Sequence, residues 1–411
     1  LNPAIRLAER GFELSHFEAN RLNAYKTFFE KNKAASKIFI RKNGKPWEKG
    51  QILIQKDLAK TLKRIARYGR DGFYSGTVAQ LIIEEMKRGN GLITKEDLLR
   101  YESKYRAPVL GTYKGHDIIS MGPPSSGGAL LINMLNMLEN YPMDTLGWNS
   151  SEYIHLLTEV ERRAYADRAE HMGDPDFWDV PISMLTSKNY AKNRIKSINL
   201  DVATPSSDIS ASKKVFYETD ETTHYSVVDR WGNAVSVTTT INLNYGNGCV
   251  VEGAGFFLNN EMDDFSSKPG VPNAFGLIGN KANAIEASKR PLSSMTPTIV
   301  LKGRKPFLII GSPGGSTIIT TTLQTILNVV DHDMDIKEAV CAPRFHSQWI
   351  PDIIQYEPRS LIKDLKKALE LKGHKLVERG SYIGEANGIM ILEDGYYGGG
   401  DCRGETSAIG Y

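Results

Sequence analysis

Cysteine is scarce in this chain of 411 residues, which contains only Cys249, Cys341 and Cys402. These three are widely spaced and form no C-x-x-C motif, so we expect neither a disulfide framework nor a zinc knuckle. Scarce cysteine is compatible with a cytosolic protein and equally with an exported protein that avoids thiols.

Long apolar runs and an excess of charge of one sign are also missing. No run approaches the roughly 18–20 apolar residues of a membrane span. The 51 basic and 48 acidic residues leave a net charge of +3, which argues against a dedicated nucleic-acid binder. The eight histidines show no H-E-x-x-H or other ligand spacing, so we expect no catalytic metal and no cofactor.

The first residues, LNPAIR, include neither an initiator methionine nor the charged and apolar regions of a signal peptide. We therefore expect the chain to be part of a longer precursor. The composition itself, 41% hydrophobic and 24% charged, is that of a globular protein with a sizeable core.

The pattern of apolar residues changes along the chain. Three- and four-residue spacing predicts helices over 53–68, 78–87 and 151–169, whereas residues 197–221 are polar and predict an exposed linker. From residue 222 onward, β-rich pairs of segments predict hairpins over 225–241, 298–310 and 389–399, with helices over 318–330 and 361–372 between them. Helices followed by hairpins favour an α+β protein whose sheets are covered by helical layers.

A threonine-rich segment, TTHYS (residues 222–226), lies where the polar linker meets the first hairpin. On composition alone, β-branched threonines that begin a strand explain it. The functional alternative is cleavage before Thr222, because a threonine hydroxyl needs a base and a freed α-amine with a pKa of about 7.7–8 supplies one. His224 is then not required and is expected to be a packed strand residue.

Three further segments have both a structural and a functional interpretation. GSPGGS (311–316) is either an ordinary glycine turn or a set of backbone N–H groups that bind an oxyanion. The acidic NNEMDD (259–264) is either a solvated turn or a pocket for a substrate ammonium group. RPLSSM (290–295) is either a turn or a pair of hydroxyls that bind a carboxylate.

Together these segments resemble the bacterial γ-glutamyltransferase (γ-glutamyltranspeptidase) family. The resemblance rests on TTHYS (222–226), LNNEMDDFS (258–266), KRPLSSM (289–295) and GSPGGS (311–316). GLITKED (91–97), PPSSGG (123–128) and GDPDF (173–177) also look like family segments, and the similarity extends from Leu1 to Tyr411.

The resemblance implies an N-terminal nucleophile hydrolase with a four-layer αββα sandwich. Its precursor would cut itself between Glu221 and Thr222, so that residues 1–221 are the C-terminal part of a large subunit and 222–411 a small catalytic subunit. The two subunits would remain together as a heterodimer, exported to the periplasm or secreted.

The catalytic residues that the resemblance implies are Thr222, Thr240, Gly314 and Gly315. Thr222 would attack the γ-glutamyl carbonyl, Thr240 would orient its amine, and Gly314 with Gly315 would bind the oxyanion. The acyl group would pass from glutathione or a related donor to water or to an amino acid or peptide.

The substrate-binding residues that the resemblance implies are Asn242, Glu261 and Asp264 for the α-amino group and Ser293 with Ser294 for the α-carboxylate. Two rivals remain: a cephalosporin (glutaryl) acylase of the same fold, and an uncleaved or inactive chain that only binds amino acids. Glu261 and Asp264 count against the acylase, because a glutaryl donor would leave an ammonium pocket unpaired.

Three departures from the family pattern stand out. Family precursors carry, upstream of the position that matches Leu1, an arginine that pairs with the substrate carboxylate, so an upstream extension is expected to lower KM. Phe275 replaces the tyrosine that many bacterial members have in a lid loop. Asp401-Cys402-Arg403 replaces Asp-Pro-Arg, which we expect to be a minor backbone change.

Overall fold

The computed structural model describes residues 1–209, 222–266, 268, 271 and 277–410. The chain divides into two compact units. The first consists of Leu1–Tyr105 and Leu243–Asn260, and the second of Arg106–Asn242 and Glu261–Tyr411.

The first unit is built mainly from helices, as the apolar spacing predicts. Its elements are α1 (Asn2–Arg10), β1 (Phe12–Glu13), α2 (His16–Ala24), α3 (Lys26–Phe29), α4 (Lys33–Phe39), β2 (Ile52–Leu53), α5 (Lys56–Tyr68), α6 (Asp71–Tyr74), α7 (Gly76–Gly89) and α8 (Lys95–Arg100). A capping box between Thr94 and Asp97 begins α8, because each side chain binds the other residue's backbone N–H. Phe29 is fully buried in its core, with Phe39 and Phe257 packed against it.

A six-stranded antiparallel sheet forms the centre of the second unit, in the order β13-β12-β8-β7-β4-β3. Three hairpins supply these strands, and two of them correspond to the hairpins predicted over 298–310 and 389–399. The strands are β3 (Val109–Tyr113), β4 (His116–Ser120), β7 (Thr298–Lys302), β8 (Lys305–Gly311), β12 (Asn387–Leu392) and β13 (Gly395–Gly400).

The remaining strands of the second unit form two smaller sheets. A separate hairpin consists of β5 (Thr223–Val228) and β6 (Ala234–Thr239), and a three-stranded sheet of β9 (Phe345–His346), β10 (Ile354–Tyr356) and β11 (Leu376–Glu378). The β5–β6 hairpin packs against β8.

Three helices pack against the six-stranded sheet, namely α9 (Gly127–Leu138), α14 (Thr317–Val330) and α15 (Ile336–Cys341). The other helices of this unit are α10 (Ser151–His171), α11 (Ile182–Leu185), α12 (Lys188–Arg194), α13 (Ser206–Ile209) and α16 (Lys363–Leu371). Every residue of α9 is buried, since it packs against β3 and β4 as well as α10 and α14. Leu308–Gly311 of β8 are consecutively buried, so both faces of the sheet are covered at this strand.

The layers therefore follow the order helices, six-stranded sheet, β5–β6 hairpin, which matches three successive layers of the expected αββα sandwich. Within the described ranges, no helix has both the length and the apolar character that membrane crossing requires.

The described part of the predicted linker, residues 197–209, is mostly exposed, but several of its residues are anchored by hydrogen bonds. The backbone N–H of Thr204 donates to Glu159 on α10 at 2.9 Å, and the Ser206 hydroxyl donates to the Trp349 carbonyl at 2.6 Å. Residues 210–221, including Glu221, lie outside the described ranges.

One expectation about cysteine is wrong. Cys341, at the end of α15, forms a disulfide with Cys402, and their Cα atoms are 5.3 Å apart. The bond spans 61 positions of sequence, so no local motif announces it. Cys402 is therefore more than the minor backbone change expected at this departure from the family pattern.

Candidate active site

The β5–β6 hairpin places two of the candidate catalytic threonines opposite each other. Thr223 pairs with Thr239, and continuing this antiparallel register by one residue brings Thr222 opposite Thr240. Thr222 is two residues from His224, and Thr240 is two residues from Thr238. The side chains of His224 and Thr238 contact each other at 2.8 Å. Because side chains alternate along a strand, the hydroxyls of Thr222 and Thr240 belong to the same inward face as that pair.

His224 is a packed strand residue, as expected. Its ring is 5% exposed, lies against Gly311 of β8, and contacts the hydroxyls of Thr238 (2.8 Å) and Ser226 (3.2 Å). Burial lowers the pKa of His224 to about 4. A neutral ring held by two hydroxyls is a structural element of the hairpin, and the base for Thr222 has to come from elsewhere.

A chain of hydrogen bonds connects Thr240 with the acidic segment. The Asn242 backbone N–H donates to the Thr240 Oγ1 at 2.8 Å, and the Asn242 side chain hydrogen-bonds to the carboxyl group of Asp264. Asn242 itself is 3% exposed and has a φ of +73°, a left-handed conformation that asparagine tolerates better than most residues. The turn after β6 thus joins the position opposite the nucleophile to the predicted ammonium pocket.

The two candidate acids share a half-buried, electrostatically strained environment. Burial raises the pKa of Glu261 to about 7. Burial, followed by repulsion from Glu261, raises the pKa of Asp264 to about 8, while the positive charge of Arg168 and the bond from Asn242 act in the opposite direction. A bound ammonium group would relieve this strain, because an opposite charge favours the ionised carboxylates.

The serine pair is held by a segment of the chain far upstream. Ser293 forms a bridge with Ser125, and its hydroxyl donates to the Ser125 hydroxyl at 3.0 Å. The Ser126 backbone N–H and hydroxyl both donate to the Ser293 carbonyl, at 2.9 and 2.8 Å. Ser294 is 8% exposed, and its Oγ accepts a hydrogen bond from Arg168 at 3.3 Å.

Sequence reasoning missed several residues that support this loop. The carboxylate of Asp174 accepts from the Arg290 backbone at 2.9 Å. The Asn283 side chain donates to the Asp264 carbonyl at 2.7 Å and accepts from the Leu292 backbone at 3.0 Å. The family-like segments PPSSGG and GDPDF both contact residues 290–295. These contacts explain why both segments occur together with the serine pair.

The glycine-rich segment forms a tight turn at the beginning of α14. Gly314 and Gly315 have φ values of +138° and +53°, a region that other residues rarely adopt. A Cβ atom on Gly314 would lie 2.5 Å from the Thr317 hydroxyl, which donates to the Gly314 carbonyl at 2.7 Å. The turn is thus fixed in a conformation that requires glycine, directly before the N-terminus of a 14-residue helix.

Thr222 and Pro313, which belongs to the glycine-rich segment, border the same cavity. It has a volume of about 1000 Å³, and its lining includes Thr222, His224, Pro313 and Asn387 together with residues 405–410. The two acids and the two serines form a separate group of candidate residues, which Asn242 and Arg168 link together. Thr240 connects this group with Thr222 at the cavity, because it lies opposite Thr222 in the hairpin and bonds to Asn242. Phe275 lies outside the described residues.

Comparisons with known proteins identify the family to which the chain is similar. The family model described as gamma-glutamyltranspeptidase matches residues 1–411. The glutathione hydrolase proenzyme of Escherichia coli (strain K12) is 47% identical over 404 residues, which cover 98% of this chain and 69% of that protein. The acylase ACY 1 proenzyme of Pseudomonas sp. (strain SE83) is 35% identical over 98% of this chain and 69% of its own length.

Among solved structures, a cephalosporin acylase from Bacillus halodurans matches with a TM-score of 0.85 over 99% of this chain and 73% of its own, at 24% identity. This likeness confirms the α+β fold of the N-terminal nucleophile hydrolase type. The family match over the whole sequence leads to one conclusion: the chain belongs to the γ-glutamyltranspeptidase family.

Proposed function

We propose that this protein transfers γ-glutamyl groups from glutathione and related donors to water or to amino acid and peptide acceptors, with Thr222 as the nucleophile. The observation that carries the proposal is the continuous link from Thr240, which lies opposite Thr222, through Asn242 to Asp264. This link couples the proposed nucleophile to a half-buried acid that is suited to an α-amino group.

In the proposed reaction, the Thr222 hydroxyl attacks the γ-carbonyl carbon while its proton passes to its own α-amine. The oxygen of the tetrahedral intermediate takes the negative charge and is stabilised by the backbone N–H groups of Gly314 and Gly315. As the intermediate collapses, the C–N bond breaks, and the leaving amine takes the proton. Water or an acceptor amine then attacks the γ-glutamyl ester of Thr222 and restores the free hydroxyl.

Two subsites hold the glutamyl group in this proposal. Asn242, Glu261 and Asp264 bind the α-ammonium group, and the segment of Ser293 and Ser294 binds the α-carboxylate. The raised pKa values of Glu261 and Asp264 support this assignment, because two acids that repel each other in a half-buried pocket gain most from a cation.

Maturation requires a cut between Glu221 and Thr222. The Thr222 hydroxyl would attack the Glu221 carbonyl, and the Glu221–Thr222 C–N bond would break as the ester forms, which frees the α-amine. Water would then hydrolyse the ester, which releases the Glu221 carboxylate and restores the Thr222 hydroxyl. Residues 1–221 would then belong to the large subunit and 222–411 to the small subunit, and these remain together as a heterodimer.

Export to the periplasm or the medium is part of the same proposal. Its support is the disulfide between Cys341 and Cys402, since such bonds persist mainly in oxidising compartments.

A glutaryl acylase is the second candidate, because an acylase proenzyme is among the relatives. The two functions differ in the α-amino group of the donor, so the test compares γ-glutamyl-p-nitroanilide with glutaryl-p-nitroanilide. We expect kcat/KM to be at least about 100-fold higher for the γ-glutamyl donor, because a site built for a polar group rejects an analogue that lacks it. A preference for the glutaryl donor would establish the acylase. Intact mass under denaturing conditions, measured on the same sample, distinguishes an uncleaved chain from an inactive cleaved one.

A further inference from the structure

Arg168 is a buried cation next to both proposed subsites. It lies in the last turn of α10 and is 4% exposed, and a guanidinium in this place is favoured by the negative end of the helix dipole. Its Nε donates to the Ser126 hydroxyl at 2.9 Å, and its Nη2 donates to the Ser294 hydroxyl at 3.3 Å. Its charge also acts on Asp264.

The direction of these hydrogen bonds has a consequence for Ser294. Arginine can only donate, whereas a serine hydroxyl has one proton and two acceptor lone pairs. The Ser294 oxygen therefore accepts from Arg168, and its own proton is available for an acceptor in the pocket. A hydroxyl oriented in this way presents a donor, which is what a carboxylate requires.

Ser126 connects Arg168 to the backbone of Ser293. Its oxygen accepts from Arg168, and its proton goes to the Ser293 carbonyl at 2.8 Å. The guanidinium thus holds the Ser293–Ser294 backbone through Ser126 and the Ser294 side chain directly, while no bond of its own to the substrate is needed.

We propose that Arg168 is the positioning residue of the α-carboxylate subsite: it orients the Ser294 hydroxyl as a donor and provides a fixed positive charge behind both subsites. This inference rests on the proposed function. It assigns to an internal residue of α10 a role in selecting donors that carry an anionic α-carboxylate.

Three donor substrates allow the ammonium and carboxylate subsites to be tested separately. γ-Glutamyl-p-nitroanilide carries both α-groups, glutaryl-p-nitroanilide only the carboxylate, and 4-aminobutyryl-p-nitroanilide only the amine. Arg168→Lys keeps the positive charge but cannot reach two hydroxyls with a planar fork. We expect its KM to rise about tenfold for both carboxylate donors and kcat/KM for the 4-aminobutyryl donor to stay within about twofold of the wild type.

A double-mutant cycle tests whether Arg168 acts through Ser294. Once Ser294→Ala has removed the hydroxyl, Arg168→Lys should add little to KM for the glutaryl donor, because the two residues work as one unit. Glu170→Gln, on an exposed position of the same helix, is the matched control and should leave all three donors unchanged.

The effect of the positive charge of Arg168 is tested by the pH dependence of kcat/KM. Asp264 is surrounded by Glu261, Asp263, Arg168 and Asn242, and Arg168→Gln removes the one cation among these groups. The acid limb of kcat/KM for the 4-aminobutyryl donor should therefore move to higher pH in Arg168→Gln and stay in place in Arg168→Lys.

An equal loss on all three donors, or additive effects of Arg168→Lys and Ser294→Ala, would show a merely structural role and overturn the inference. If Arg168→Lys does not fold or mature, Ser126→Ala replaces it: a loss confined to the carboxylate donors supports the inference, and an equal loss on all donors overturns it. Failure of the proposed function itself is recognised separately, because the wild-type protein would then not turn over γ-glutamyl-p-nitroanilide.

Discussion

The backbone N–H of Asn242 donates a hydrogen bond to the Thr240 hydroxyl oxygen at 2.8 Å, directly beyond the end of β6. Because Asn242 also bonds to Asp264, one short turn joins the residue opposite the proposed nucleophile to a residue of the proposed ammonium pocket. The proposed catalytic and binding groups are therefore coupled through local backbone geometry, and several consequences can be measured.

Thr222→Ala should remain a single chain and have no γ-glutamyl hydrolase activity, because the hydroxyl that starts both self-cleavage and catalysis is gone. Intact mass under denaturing conditions and p-nitroaniline release provide the readout. Thr223→Ala, at the adjacent exposed position, is the control and should mature normally. Normal cleavage of Thr222→Ala would refute the assignment.

Thr240→Val should lower kcat about 100-fold, since an α-amine that is not oriented loses most of a general base's contribution. KM should change by less than about threefold if the pocket acids remain in place. Thr240→Ser should restore most of the rate, and Thr239→Val, which changes the outward neighbour, should behave as wild type. A rise in KM with unchanged kcat would assign Thr240 to binding instead.

Asp264→Ala should raise KM for γ-glutamyl-p-nitroanilide about 10- to 150-fold, because a buried ammonium loses a charge-assisted partner worth about 1.5–3 kcal/mol. The glutaryl donor should be affected far less. Asp263→Asn changes the adjacent exposed acid and serves as the control. Similar losses on both donors would speak against Asp264 as the ammonium ligand.

The same carboxyl group should make the stability of the ligand-free protein fall as the pH rises from about 4 to 8. Asp264 has a pKa of about 8 in the folded state and about 3.9 when unfolded, so the folded state binds more protons between these values. Its free energy of unfolding therefore falls by up to about 1.36 kcal/mol per pH unit as pH rises from about 4 to 8.

Asp264→Asn removes this loss, so its Tm should exceed that of the wild type at pH 8. The two Tm values should converge near pH 4, where both side chains are neutral. A Tm difference that is the same at both pH values would contradict the raised pKa.

Cys402→Ser should lower the free energy of unfolding by about 2–4 kcal/mol, because the disulfide closes a long loop in the unfolded chain. Urea unfolding with and without dithiothreitol measures this. Reductant should bring the wild type to the value of Cys341→Ser/Cys402→Ser and leave that double variant unchanged. If reductant left the free energy of unfolding of the wild type unchanged, the disulfide would contribute nothing to stability.

Local patterns in the sequence were sufficient for five of the helices (α5, α7, α10, α14 and α16) and for three hairpins. The 298–310 hairpin became β7 and β8, and the expected helix over 151–169 became α10, Ser151–His171. These elements depend on periodicity, turn residues and caps, all of which act over a few residues. The specific motifs around Thr222 and Ser293 were also sufficient for the family, which the comparisons confirm.

Long-range proximity was decided only by the tertiary structure. Arg168 looked like an ordinary charged residue of a helix, and its bond to Ser294 joins positions 126 residues apart. Cys341 and Cys402, separated by 61 positions, gave no motif and still form a bond. Such contacts arise because packing of α9, α10 and the sheet brings distant segments together. The sequence by itself therefore determined which chemical groups this protein carries, while the packing of its layers determined which of them meet.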